Sequence, residues 1–434
     1  MAAPNRNCLI RMNQVVVTGV GAVSAGAVGA LTLFERLAAG ESLVRAHPDL
    51  VALGFANPYC VYIDDATWAD IAPLLGEVEP EWGRQSRLAI AAASLALSQA
   101  QLGERVGRGA VFVANNKHTF DERDVKALAA VYDEGTDVLD LDLLAARGWP
   151  SGERGYFHKQ QDEAGLALAR RLGWYAHHAA RGEACAAGTM VIGSAMQQIR
   201  AGLIDLAVVG ACETMCNFTP LVAFNGVGAL SDGERFQGTA ISRPFDKDRN
   251  GFVMGEGSAF LVLESAEHAA RRGAVVLARL TGFAGLLEAH HITASDEAGD
   301  EYARCMRAAL QDAGLGADDI DHVNAHGTST PGNDAAEALA LKQVFGSRAN
   351  TVPVTSNKSA LGHSLANSGA VEAVLAVLSL QQQRLLPTLN FHAPDDATSG
   401  LDIVTSTRRA PLRRVLSNSF GFGGVNASLV LEAA

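Results

Sequence analysis

A cysteine at position 185 stands in "GEACAAGTMVIGSAMQQIRAG" (182–202), among small residues and just before a run of helical character. A thiolate exchanges readily with thioesters. At a helix start, the amides and the positive dipole end would draw the thiol pKa down from ~8.5 toward ~7, raising the thiolate from a few per cent to about half at neutral pH. A small buried cysteine also packs well, so the rest of the chain must decide. Three further constellations carry polar chemistry. In "NAHGTSTPGNDAAE" (324–337), His326 ends an apolar strand and Thr328 and Thr330 follow on the turn. In "TSNKSALGHSLANSGAVEA" (355–373), Lys358 and His363 sit in a small-residue loop before a helix. In "SNSFGFGGVNASLVLE" (417–432), Gly421 and Gly423 open backbone N–H groups around Phe422, an apolar plug able to move. Taken singly, each also reads as a turn histidine, a loop lysine or a tight turn.

These residues need a frame, and the chain supplies an alternating one. Apolar, β-branched runs at 109–115, 205–213, 257–265, 321–328, 351–357 and 426–434 read as strands. Ala/Leu-rich stretches at 86–101, 186–202, 301–314, 334–345 and 366–383 read as helices. The pattern predicts an α/β fold with buried strands. The interval 116–180 is richer in charge and aromatics, with little strand character, and is expected to be a helical insertion over the sheet. At 434 residues the chain exceeds one ordinary core, and two units are expected, 1–268 and 269–434.

Composition removes several classes. With 48 % hydrophobic and 19 % charged residues the chain is globular, and its net charge of −12 with no long basic run argues against nucleic acid. Six scattered cysteines form no disulfide framework, and Cys212 and Cys216 lack a second ligand pair at finger spacing, so a reducing cytoplasm is the expected location. The uncharged segment 15–34, preceded by Arg6 and Arg11, resembles a leader or span, but its glycines and hydroxyl residues favour a strand, "QVVVTGVG", then a helix near "GALTLFERLAAG". Its Gly19-x-Gly21 is a weak dinucleotide signal, because Ser24 replaces the third glycine.

Taken together and in this order, "EACAAG", "SRPFDKDRNGFVMGEGSAFLVLE" (242–264), "NAHGTSTPGND", "SNKSALGH" and "NSFGFGG" resemble the β-ketoacyl-acyl-carrier-protein synthases, elongating condensing enzymes of the thiolase superfamily. The resemblance covers roughly 182–434, shows at 14–40 and fades across 110–180. It implies a thiolase-like fold of two pseudo-duplicated halves in αβαβα layers. The N-terminal half would carry the nucleophile and the C-terminal half both histidines. It implies decarboxylative condensation of an acyl thioester on Cys185 with a malonyl carrier protein, in fatty-acid or polyketide-type synthesis.

By the same resemblance, Cys185 would accept the acyl group, and His326 and His363 would bind the extender carbonyl and promote loss of CO₂. Lys358 and Glu337 would form a supporting ion pair. The backbone N–H groups of Cys185 and Phe422, flanked by Gly421 and Gly423, would make an oxyanion hole, with Phe422 as gate. Thr328, Thr330, Phe252 and His291 would bind substrate. No metal or organic cofactor is implied, since decarboxylation makes the enolate and neutral donors suffice to hold it. The implied partners are an acyl carrier protein and a second chain. A homodimer is expected, a heterodimer with a related chain is the alternative, and the signature 242–264 and the helix after Cys185 would lie near the seam. No membrane span is expected.

The chain departs from the family pattern at Glu183, where Thr or Ser is usual, and in "NNKHTFDER", "HHAARGEACAAG" and the loop "EAHHIT" (288–293). These differences leave acyl length and partner open, and they place a specialised secondary-metabolite synthase beside a fatty-acid enzyme. Two alternatives stand. A thiolase would need a second cysteine near the C-terminus, and none follows Cys305; a partner subunit of the chain-length-factor kind usually lacks the nucleophile that this chain has.

Overall fold

The frame that carries these residues is built twice. The computed structural model describes residues 13–77, 82–102, 109–116, 122–148, 160–174 and 177–434. The first half contributes β1 (Val15–Ser24), β2 (Gly109–Ala114), β3 (His177–Arg181), β4 (Leu206–Thr214) and β5 (Met254–Ser265). The second contributes β6 (Ala278–Leu287), β7 (His322–Asn324), β8 (Pro353–Thr355), β9 (Arg414–Gly421) and β10 (Val425–Ala433). Side by side, the first set runs β3-β2-β4-β5-β1 and the second β8-β7-β9-β10-β6, with a short strand at Asp402–Ile403 beyond β8. In both sets the last strand in sequence is antiparallel to its two neighbours and the outer pairs are parallel. The sets meet through three residue pairs of β1 and β6, from Val15↔Leu280 to Val17↔Ala278. This repeated topology is the pseudo-duplication, and the fold is thiolase-like.

Helix composition sorts the layers. In α1 (Ala30–Ala38), Ala30, Leu33, Phe34 and Leu37 are buried, the spacing of one apolar stripe. On the outer face of the first half lie α2 (Arg84–Gln99) and α3 (Glu163–Leu172). The central layer holds α4 (Ala187–Arg200) and, from the second half, α7 (Ser368–Gln382), each touching strands of both halves. The other outer face carries α5 (Asp300–Asp312) and α6 (Pro331–Phe345). Helix α5 buries only the stripe Tyr302, Ala303, Cys305, Met306, Ala309 and Leu310, as a surface helix should. Helix α7 is buried from Ser368 to Leu380, and apart from Ser368, Ser379 and a single acid, Glu372, that stretch is apolar all round.

Close packing explains the glycines of β1. A side-chain carbon at Gly19 or Gly21 would stand 2.1 Å from the carbonyl oxygen of Ala96 or Ala92 in α2. The Gly19-x-Gly21 spacing thus serves helix–strand approach, inside a strand, and forms no phosphate loop.

Two expectations need correction. The interval 116–180 is not a helical insertion throughout. Helices at Glu122–Ala129 and Leu141–Arg147 flank a small hairpin, yet α3 packs into the core beneath α2, and β3 ends the stretch as a sheet strand parallel to β2. Residues 117–121, 149–159 and 175–176 lie outside the described residues. The signature stretch does not lie at an open seam: β5 is buried along its whole length between β1 and β4. Helix α4 is enclosed in the central layer, and among the described residues the sheet ends instead at β3. No helix among the described residues is long and apolar enough to cross a membrane.

Candidate active site

The duplicated halves present two helix starts to one another. Cys185 sits in a 3-10 turn, Ala184–Ala186, that leads into α4, and the turn Leu365–Asn367 leads in the same way into α7. Ala184 and Leu365 both take positive φ, 47° and 42°, an uncommon and strained choice for residues with a side chain. Small residues let the helices touch. A side-chain carbon on Gly188 would stand 2.6 Å from the Ala366 carbonyl oxygen, and one on Gly369 would stand 2.2 Å from Thr189 Oγ1.

This approach brings the predicted catalytic set together. Cys185 Sγ is 3.1 Å from His363 Nε2, and the His363 and His326 rings meet edge to face at 5.3 Å between centroids. All three residues are buried. Lys358 stands behind His326, its Nζ donating to the His326 carbonyl at 2.7 Å and lying 3.3 Å from His326 Nδ1. An ammonium has no lone pair to offer, so Nδ1 accepts and the neutral ring carries its proton on Nε2. Burial, with Lys358 as a nearby positive charge, holds both histidines well below their ordinary pKa, so both rings are neutral.

The expected ion pair is not formed. Lys358 Nζ pairs with Glu372 of α7, while Glu337 accepts the backbone N–H groups of His326 at 2.9 Å and Gly327 at 2.8 Å. Glu337 therefore shapes the turn bearing His326, and Asp334, one helical turn earlier in α6, does the same for Thr328 and Ser329. Burial pushes both Glu337 and Glu372 up to about 7.

The thiol departs from expectation in direction. Burial in apolar surroundings raises it to about 11, and the Phe422 N–H, the Lys358 charge and its own backbone N–H offset this only in part. Desolvation outweighs the helix start because Cys185 is 4 % exposed and packs with Met215, Leu221, Phe252 and Leu365. A thiol at about 11 is only on the order of 10⁻⁴ thiolate at pH 7. Nucleophilicity must then come from proton transfer to His363 during attack. Glu183 does not face the sulfur; it pairs with Arg181 at 2.8 Å.

A cavity of about 320 Å³ opens on these groups. Cys185, His326, His363, Thr328, Thr330, Phe252, His291, Phe422, Gly421 and Gly423 all line it, whereas Lys358 and Glu337 stand behind its wall. Thr328 and Thr330 share a hydroxyl hydrogen bond of 2.8 Å. The Phe252 ring lies edge-on to His363 at 5.1 Å, and Phe224 stands beside both Phe252 and Phe422. Exposed His291 caps its own loop, Nδ1 accepting from Thr293 and Ala294. That loop holds the Phe422 turn, because the Gly423 N–H donates to the Ile292 carbonyl at 2.7 Å and the Glu288 N–H to the Gly424 carbonyl at 2.7 Å. The donor atoms of Cys185, His326 and His363 lie within 4.8 Å of one another and all three residues line the cavity.

Sequence reasoning missed Glu372, Tyr302 and Ser368. One acid among the apolar residues 369–378 was a usable signal, since a buried carboxylate needs a partner. Tyr302 lines the cavity and stacks on Phe420 at 3.6 Å, and its spacing gave no sign of this.

Comparison with known proteins agrees with this geometry. Residues 12–269 match the family described as Beta-ketoacyl synthase, N-terminal domain, and residues 277–392 match Beta-ketoacyl synthase, C-terminal domain. A 3-oxoacyl-[acyl-carrier-protein] synthase 2 of Rhizobium meliloti (strain 1021) is 43 % identical over 250 residues, 57 % of this chain and 59 % of the relative's length. A Streptomyces halstedii chain that carries the name of a polyketide beta-ketoacyl synthase 1 is 33 % identical over 96 % of this chain and 97 % of its own. Among solved structures, a chain of a type II polyketide-synthase acyl-carrier protein in complex with its ketosynthase bound to the hexaketide superposes with a TM-score of 0.84. It is 30 % identical, over 98 % of this chain and 100 % of that one. The ishigamide ketosynthase/chain length factor gives the same TM-score, identity and coverage. Two half-folds that bring one cysteine and two histidines together, and these matches, lead to one assignment: the chain belongs to the beta-ketoacyl synthase family.

Proposed function

We propose that the chain condenses an acyl thioester, carried on Cys185, with a malonyl acyl carrier protein, releasing CO₂ and giving a β-ketoacyl product. The observation that carries this reading is the 3.1 Å contact between Cys185 Sγ and His363 Nε2 beside a second neutral imidazole. In the first half-reaction the thiol proton passes to His363 as sulfur attacks the acyl carbonyl. The oxyanion is met by the N–H groups of Cys185 and Phe422, which already face Sγ. The carbon–sulfur bond to the carrier breaks, and the departing sulfur takes the proton from His363. In the second half-reaction His326 Nε2–H and His363 Nε2–H hold the malonyl carbonyl while its carboxylate leaves as CO₂ beside the apolar ring of Phe252. The enolate carbon then attacks the acyl carbon on Cys185, the carbon–sulfur bond there breaks, and the Cys185 thiolate released takes a proton from water to restore the neutral thiol.

Among the described residues Cys185 is the one cysteine lining the cavity, which favours decarboxylation over thiolase chemistry that would use a second cysteine as base. Its presence also favours a catalytic chain over a silent partner. The substrates are read as phosphopantetheine thioesters, with Thr328 and Thr330 along the arm, no cofactor consumed and a reducing cytoplasm as the setting. The working assembly is read as a dimer, of two copies or with a related chain; the ketosynthase/chain length factor neighbour supports the second form. Incubation with acyl-carrier thioesters followed by intact-mass analysis should show one acyl group per chain, on Cys185. A chain that stays unmodified by every thioester tried, while remaining folded, would refute the reading.

A further inference from the structure

We propose that Ser368 is a positioning residue that lets His363 serve first as proton acceptor and then as N–H donor. The inference rests on the reaction proposed above and concerns how one imidazole performs both steps.

The two steps ask for opposite tautomers. When the thiol is neutral, Sγ–H must donate to Nε2, so the neutral His363 ring carries its proton on Nδ1. When the malonyl carbonyl must be held, Nε2 must carry the proton and Nδ1 must accept. A fixed partner at Nδ1 would settle the ring in one form: a backbone N–H would forbid the first, and a carbonyl would penalise the second.

The partner here is a hydroxyl. Ser368 Oγ lies 2.9 Å from His363 Nδ1, and Ser368 is 1 % exposed, so no bulk water reaches that side of the ring. A hydroxyl both donates and accepts, and it turns at little cost. Its surroundings allow the turn. Ser364 Oγ, 3.5 Å away, can take or give the other hydrogen bond, and Asn367 Nδ2 donates to Ser364 Oγ at 3.3 Å. Among the described residues Asn367 Oδ1 has no hydrogen-bond partner, so the chain of polar groups ends there without a charge to lock its direction. The tautomer change hands the Nδ1 proton to the Ser368 hydroxyl, which gives up its own, and places one on Nε2, with water that enters the open cavity between carriers as the final donor and acceptor.

The test compares wild type, Ser368→Ala and Ser364→Ala by intact-mass loading rate and by ¹⁵N chemical shifts of His363. The free wild-type enzyme should show His363 protonated on Nδ1. The acyl-loaded form should gain the Nε2 form. Ser368→Ala should load about tenfold more slowly, the loss of one buried hydrogen bond, with its tautomer balance displaced. Ser364→Ala, which removes a hydroxyl that does not touch the ring, should stay within about twofold. Loading by Ser368→Ala at the wild-type rate with unchanged shifts would overturn the proposal, as would a free wild-type ring already protonated on Nε2. The shift measurement on free enzyme needs no substrate and no variant. If wild type never loads, the proposed function fails; if it loads and the shifts disagree, only the role of Ser368 fails.

Discussion

The turn at Cys185 and the turn at Leu365–Asn367 hold equivalent places in the two halves: each opens with a strained residue and leads into a central helix. Their chemistry differs. The first supplies the nucleophile of the proposed reaction. The second supplies no reactive atom from the turn itself, but it fixes His363 just before it and Ser368 just after. The duplicated topology thus presents two helix starts that meet, and in the proposed reaction one carries the nucleophile while the other holds the base that faces it. Neither half could act alone, because the 3.1 Å contact spans 178 residues of sequence.

Substitutions at the meeting point should separate the contributions. Cys185→Ala should abolish loading and product, a fall of about 10³-fold or more, yet leave His326 and His363 able to release CO₂ from a malonyl carrier; labelled CO₂ and intact mass read the two together. His363→Ala should slow loading as well as condensation, each on the order of 10²-fold, because a thiol at about 11 loses its proton acceptor. His326→Ala should spare loading and reduce condensation by a similar factor. Equal loading defects in the two histidine variants would erase the distinction between the two histidines.

Stability tests sharpen the comparison from the buried side. Lys358→Ala would leave Glu372 without its partner in α7 and should cost about 3–5 kcal/mol by urea denaturation. Lys358→Met with Glu372→Leu should recover most of that stability without recovering condensation. Gly188→Ala would press on the Ala366 carbonyl and should cost about 1–3 kcal/mol. Its loading defect should exceed what lost stability explains, since the same approach sets the Cys185–His363 contact.

The smallest effect concerns Glu213, buried beside the nucleophile and held by Gln85 Nε2 at 2.9 Å and Asn116 Nδ2 at 2.7 Å. Burial raises this carboxyl to about 7, and its charge raises the Cys185 thiol. A carboxyl raised on folding stabilises the protein fully below about pH 4.5 and loses that contribution as pH climbs through about 7. Glu213→Gln should remove this slope between pH 4.5 and 7 in thermal melts. The same change should speed alkylation of Cys185 at pH 8 by a few-fold.

What the residues announced and what they hid follows from physics. Cys185, His326 and His363 were legible only together: each turn alone also reads as packing or a loop, and the resemblance of five motifs in order picked them out. The alternation of strands and helices was legible because strands buried on both faces are continuous apolar runs. The thiol direction was not legible, since desolvation depends on Met215, Leu221, Phe252 and Leu365 arriving from distant segments. The Lys358 partner was misassigned because two acids, Glu337 and Glu372, both sit within reach in sequence, and only packing decides between them. Strand β3 was missed because "HHAAR" has neither a β-branched run nor alternation; it is a strand because β2 offers it an edge.

The central claim is that the cysteine of one half and the histidines of the other form one decarboxylating site. The most direct measurement is simultaneous intact-mass loading and ¹⁴CO₂ release on wild type, Cys185→Ala and His326→Ala with acyl and malonyl carrier proteins. The expected result is loading with CO₂ release in wild type, CO₂ release without loading in Cys185→Ala, and loading with little CO₂ in His326→Ala. CO₂ release by His326→Ala at the wild-type rate, or an acyl group mapped to a residue other than Cys185, would contradict it.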